Sequence, residues 1–120
     1  MPEPIILERL EMIVEHVNVI NERMVSIGVA QDFVSSPDGQ ILYDSILTRL
    51  QSIGENMKKI EKLAPGFIEE QLKLDGTKII RFRDILSHHY ELMDQDIIYN
   101  ICKTNIPELD AAIANYFSKK

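Results

Sequence analysis

The chain has a single cysteine, Cys102, and no apolar run near the roughly 20 residues needed to span a bilayer. Without a second cysteine no intrachain disulfide framework can form, and a reducing cytoplasm is the simplest compartment. A lone cysteine on an apolar helix face is core packing, so Cys102 is given no chemical role. The N-terminal MPEPIILERLEM carries acids where a signal peptide needs positive charge, and it lacks a small-residue cleavage site. No membrane partner is expected. Basic residues are the scarcer sign, 13 Lys and Arg against 19 Asp and Glu, for a net charge of −6. Affinity for a polyanion comes largely from Lys and Arg neutralising phosphates, so the charge argues against a broad nucleic-acid surface, and DNA is not an expected partner. Any nucleic acid must be met at a small local site or only briefly. The chain also lacks a glycine-rich phosphate loop and a nucleophile–base pair of the Ser/His/Asp kind. There is no internal repeat, low-complexity tract or long linker.

What is present is helical. A hydrophobic fraction of 45% with 27% charged residues is that of a globular chain rather than a disordered one. The 120 residues fit one domain, 1–120, since domains commonly run to roughly 100–150 residues. Ile6, Leu10, Ile13, Val14, Val17, Ile20 and Met24 recur at spacings of three and four, the helical period. This predicts a helix from Pro4 to a C-cap near Gly28. SSPDGQ, residues 35–40, has turn chemistry. A second amphipathic helix follows through Leu42, Ile46, Leu50, Ile53, Met57 and Ile60, stopping before Pro65, with Gly54 on its inward face. A short helical piece spans Phe67–Leu72, and a loop at 75–77 precedes a third long helix from Thr77. Asp94 is placed to N-cap a helix from Gln95 to Lys103, and Pro107 to sit in the first turn of a final one. No segment alternates with period two. The expectation is an all-α fold, an antiparallel bundle of four to five helices.

One stretch carries chemistry, RFRDILSHHY at 81–90. With Lys78, Arg81 and Arg83 just ahead of His88 and His89, local charge here opposes the global trend. At about 100° per residue, Asp84 and His88 share a face, as do Arg83 and Tyr90. Arg83 and His88 are about 140° apart on a straight helix. They can converge through a kink near Ser87, through the reach of arginine, or across a dimer interface. Such a mixed set is a poor metal site, since Arg83 would repel a cation. It suits metal-independent RNA cleavage: imidazole moves the proton of a ribose 2′-OH, and guanidinium stabilises charge on the attacked phosphate. Asp84 could hold the imidazole tautomer. The competing reading is a solvated helix face with surface ion pairs. Elsewhere, His16 reads as a surface or boundary residue, and Tyr43, Tyr99 and Tyr116 as packing. Glu55 reads as a bundle salt bridge or a partner of Arg83 or Arg49.

Arg83 to Tyr90, R-D-I-L-S-H-H-Y, resembles the R-x-x-x-x-H-x-Y signature of HepT-like proteins of the HEPN superfamily, the toxin halves of HepT–MntA modules. LQSIGENMKKI, residues 50–60, is similar to the family's L-x-x-I-G-E-A segment, with Asn56 in place of the usual alanine. Residues 78–109 track the family's run from the motif to a late Leu-Pro-x-Leu, so the resemblance covers nearly the whole chain. Asp84 stands where family members often carry Asn. His88 matches the motif histidine because Tyr90 follows it by two.

The resemblance implies a HEPN-like bundle that dimerises and brings two motifs to one cleft. It implies a cofactor-independent, metal-independent endoribonuclease with Arg83 and His88 catalytic and Asp84 supporting. Tyr90 is then the site where a partner MntA-like nucleotidyltransferase attaches AMP to silence the toxin. The alternative function is a non-catalytic helical binding subunit of a nucleotidyltransferase complex, which the acidic surface suits.

Overall fold

The structure is a computed structural model and describes residues 4–75, 84 and 94–119. Every described element is helical, and no strand occurs among the described residues. Helix α1 (Pro4–Met24) buries Ile6, Leu10, Ile13, Val17, Ile20 and Met24, the stripe its apolar spacing predicts. It stops short of Gly28. The chain turns with the Ile27 N–H donating to the Met24 carbonyl, and the Gly28 and Val29 N–H groups donate to Asp32 Oδ2 at 2.8 and 3.1 Å. Gly28 is therefore not a left-handed C-cap; a carboxylate from the following one-turn 3-10 helix, Ala30–Phe33, takes its N–H. Phe33 on that turn is fully buried and meets Tyr43 edge-on at 5.1 Å.

Helix α2 (Pro37–Leu63) begins inside the segment expected to be a turn. Ser36 is extended, and its Oγ accepts from the Gly39 N–H at 3.0 Å, with Pro37 at the first helical position. Serine before proline is an N-cap followed by N1, so SSPDGQ opens the helix. Gly39 is buried, and a Cβ there would run into the backbone carbonyl of Asp32. Its role is close approach to the preceding loop. The helix ends at Leu63, before Pro65 as expected, and Gly66 follows in the left-handed region at φ 86°, its N–H held by Glu61 Oε2 at 2.7 Å. Helix α3 (Phe67–Glu70) is a single turn that buries Phe67 and Ile68.

Arg9 on α1 bonds Asn56 on α2, and seven residues later His16 bonds Arg49, seven residues earlier on α2. The two long helices are thus antiparallel with a heptad between their polar contacts, the repeat of 3–4 ridge-into-groove packing.

Helix α4 (Gln95–Asn100) is N-capped by Asp94, whose Oδ1 accepts from the Ile97 N–H at 2.9 Å, as the sequence predicts. No break separates it from helix α5 (Ile106–Ser118); Ile101–Asn105 is a π-helix that joins them. The Ile106 N–H reaches the Ile101 carbonyl five residues back. Pro107 is the physical reason. It has no N–H to give, and its ring crowds the carbonyl four residues earlier in an α-helix, so a wider turn carries the backbone past it. Tyr99 Oη donates to the Gly28 carbonyl at 2.7 Å, fastening α4 to the loop after α1. Ile98, Ile101, Cys102, Ile106, Leu109 and Ile113 join residues of α1 and α2 in one core. Burial pushes the Cys102 thiol up to about 12, so it stays protonated and behaves as a small apolar side chain.

Candidate functional site

Of the sequence motif, Asp84 is described: it is helical and its side chain is exposed. The expected catalytic residues Arg83 and His88, the modification site Tyr90, and His89 lie outside the described residues, as do Lys78 and Arg81. Among the described residues, no three His, Cys, Asp or Glu side chains stand together in a way that could hold a metal ion. No described helix is long and apolar enough to cross a membrane.

The second family-like segment, LQSIGEN, is fully described on α2. Leu50 and Ile53 have no exposure, Gly54 is buried, and Asn56 is 5% exposed, the buried polar residue of the described core. Glu55 points outward. Helical geometry accounts for the split, since positions 50, 53, 54 and 57 share one face and 55, 58, 59 and 62 the other. Asn56 is bonded at both ends: its Nδ2 donates to the Ser52 carbonyl at 2.9 Å, and its Oδ1 accepts from Arg9 Nη1 at 3.1 Å. A buried amide needs such partners, because stranding one costs about 1–3 kcal/mol.

The outer face carries a charged cleft of about 420 Å³ lined by Glu55, Lys58, Lys59, Glu61 and Lys62. Glu55 therefore lies among lysines, while Arg49, one of its expected partners, is taken by His16. The lysine group was missed in the sequence, although K-K-x-x-K at 58–62 puts Lys58 and Lys62 one helical turn apart.

His16 and Arg49 are a second histidine–arginine pair, and this one the structure does bring together. Arg49 Nη1 lies 3.2 Å from His16 Nδ1, and both side chains are half-buried. Guanidinium can only donate, so Nδ1 is the acceptor and the neutral ring carries its proton on Nε2. Burial, and then the Arg49 charge, lower the His16 pKa from its ordinary value, against a smaller opposing pull from Glu15. A neutral imidazole locked between helices is an architectural contact, so the boundary position expected of His16 holds.

Comparison with known proteins adds to this geometry. Residues 6–115 match the family described as "Ribonuclease HepT-like". A protein of Caldanaerobacter subterraneus subsp. tengcongensis named "Putative RNase TTE0752" is 30% identical over 111 residues, covering 92% of this chain and 93% of its own length. No solved structure gives a significant match. An all-α fold, the IGE segment on α2 and a match over nearly the whole sequence agree with one another: the chain belongs to the HepT-like ribonuclease family, and its enzyme class is endoribonuclease.

Proposed function

We propose that the protein is the ribonuclease toxin of a HEPN-type toxin–antitoxin module, working without metal or cofactor through Arg83 and His88. The observation that supports this most is the register of Arg83, His88 and Tyr90 in a chain of the HepT-like family. His88 takes the proton of a ribose 2′-OH as that oxygen attacks the adjacent phosphorus. The phosphorus–O5′ bond breaks, the departing oxygen is protonated, and the products are a 2′,3′-cyclic phosphate and a 5′-hydroxyl end. Arg83 neutralises charge growing on the phosphate oxygens, a task suited to its planar, permanently charged fork. Asp84, four residues before His88 in sequence, orients the imidazole.

Tyr90 is the off-switch in this reading. AMP transferred to its hydroxyl by a nucleotidyltransferase partner puts a bulky anion beside the motif, where it competes with substrate phosphate for Arg83. The active form is a homodimer whose two motifs share one cleft.

Purified protein is expected to cut RNA in the presence of EDTA and leave cyclic phosphate ends. His88→Ala should lower the rate by about 10²–10⁴-fold, the usual worth of a general acid–base group; undiminished cleavage removes His88 from the mechanism. Co-expression with the partner should add the mass of one or more AMP units to wild type but not to Tyr90→Phe. The net charge of −6 favours one second reading, a non-catalytic subunit docked on a nucleotidyltransferase. Expression without the partner separates the two. The toxin arrests growth in a manner that depends on Arg83 and His88, whereas the subunit is harmless.

A further inference from the structure

An enzyme of net charge −6 acting on a polyanion needs somewhere on its surface that attracts what the rest repels. Four of the nine described Lys and Arg side chains are already engaged. Arg9 bonds Asn56, Arg49 bonds His16, Arg23 pairs with Glu22 at 3.3 Å, and Lys103 sits over the Tyr99 ring at 5.6 Å. Of the five other described lysines, Lys58, Lys59 and Lys62 cluster. All three are exposed and line the same cleft on the outer face of α2. No hydrogen bond or ion pair among the described residues holds any of them. Of the two acids beside them, Glu61 has one oxygen committed to the Gly66 N–H. The cleft therefore presents three uncommitted ammonium groups, and its floor is a rigid helix that is pinned to α1 at two points.

From this placement we infer that the α2 cleft is an RNA-backbone site, in which Lys58, Lys59 and Lys62 contact phosphates of single-stranded substrate away from the bond being cut. The inference rests on the ribonuclease reading and names where that substrate is gripped. Lys58 and Lys62 lie about 6 Å apart along the helix axis, a separation that lets one strand meet both with neighbouring phosphates. Lysine suits the task, since a compact charge on a flexible stem neutralises phosphate without demanding a fixed geometry. Glu55 and Glu61 at the rim confine the strand to the lysine row by repelling it from either side.

The test is the salt dependence of binding. A fluorescently labelled single-stranded RNA is titrated by anisotropy at several salt concentrations, with His88→Ala in every background to prevent cutting. Each released counterion contributes about 0.7 to the slope of log affinity against log salt for a single strand, so K58Q/K59Q/K62Q should flatten that slope by about 2. A control, R23Q/K103Q/K119Q, removes the same charge outside the cleft and should leave the slope near that of the parent. An unchanged slope in the cleft variant, or an equal loss in the control, overturns the assignment. So does a cleft variant that loses affinity for ATP but keeps it for RNA, which would make the site a nucleotide pocket. Wild-type protein that cuts RNA, with a salt slope that the cleft substitutions leave unchanged, removes only the cleft. Protein that neither binds nor cuts RNA removes the ribonuclease reading and the cleft together.

Discussion

Asn56 occupies a position where HepT-like proteins usually carry alanine, and the structure shows what that exchange requires. An amide 5% exposed must be bonded at both ends, and Arg9 supplies the bond that α2 itself cannot. Arg9→Met should therefore cost about 1–3 kcal/mol, because it strands Asn56 Oδ1. The pair R9M/N56A should return to within about 1 kcal/mol of wild type, a coupling that urea denaturation of the four-member cycle would measure. His16 makes a different prediction. Its folded pKa lies below the ordinary 6.5, so as pH falls the unfolded chain takes up this proton before the folded one does. The stability it contributes is fully present above about pH 6.5 and is lost as pH drops through the lower, folded value. Melting temperatures from pH 7.5 to 5 should fall more steeply in wild type than in His16→Gln. The sequence read His16 as a surface or boundary residue of α1 but could not name Arg49 as its partner. That choice is made by interhelical register, which no local pattern displays.

The limits of local reading recur among the helices. The α1 and α2 stripes were legible because burial against one neighbour imposes a spacing of three and four on every turn. Their ends were less so. Gly28 looked like a C-cap until Asp32, four residues on, proved to hold its N–H. SSPDGQ looked like a turn because serine, proline and glycine serve turns and helix starts alike. Gly39 tests the close approach at the start of α2. A helical glycine with open space beside it gains about 0.4–1 kcal/mol on replacement by alanine. Here the new Cβ would meet the Asp32 carbonyl, so Gly39→Ala should instead destabilise by about 1–3 kcal/mol in equilibrium unfolding. The π-helix was not legible at all. Asp94 and Pro107 were both read correctly as helix-start residues, yet nothing in either says that the backbone passes between them unbroken.

At the scale of the molecule, α2 is 27 residues long, about 40 Å, and accounts for most of the 47 Å long axis. One end of it carries the Ser36 cap and the other the lysine cleft. Family and fold class were legible in the sequence because the family signature and helical periodicity are local. The arrangement of the motif was not, because on a straight helix Arg83 and His88 would stand about 140° apart and spacing alone cannot say whether they meet. If two copies share a cleft, as proposed, mixing inactive Arg83→Ala and His88→Ala proteins should restore part of the ribonuclease activity. Mixed dimers then hold one intact arginine and one intact histidine, and the recovery should disappear on dilution below the dimer dissociation constant.

The two polar contacts between α1 and α2 also bear on how the chain avoids folding wrongly. A two-helix seam with a seven-residue repeat has near-equivalent alignments one heptad away in each direction, and its apolar residues discriminate weakly among them. Arg49 faces His16 in the native alignment. Slide α2 by one heptad and Arg49 would face Arg9; slide it the other way and it would face Arg23. Each slipped alignment sets guanidinium against guanidinium, a like-charge contact that disfavours it. The arginines spaced by fourteen along α1 thus disfavour the alignments one heptad to either side of the native one.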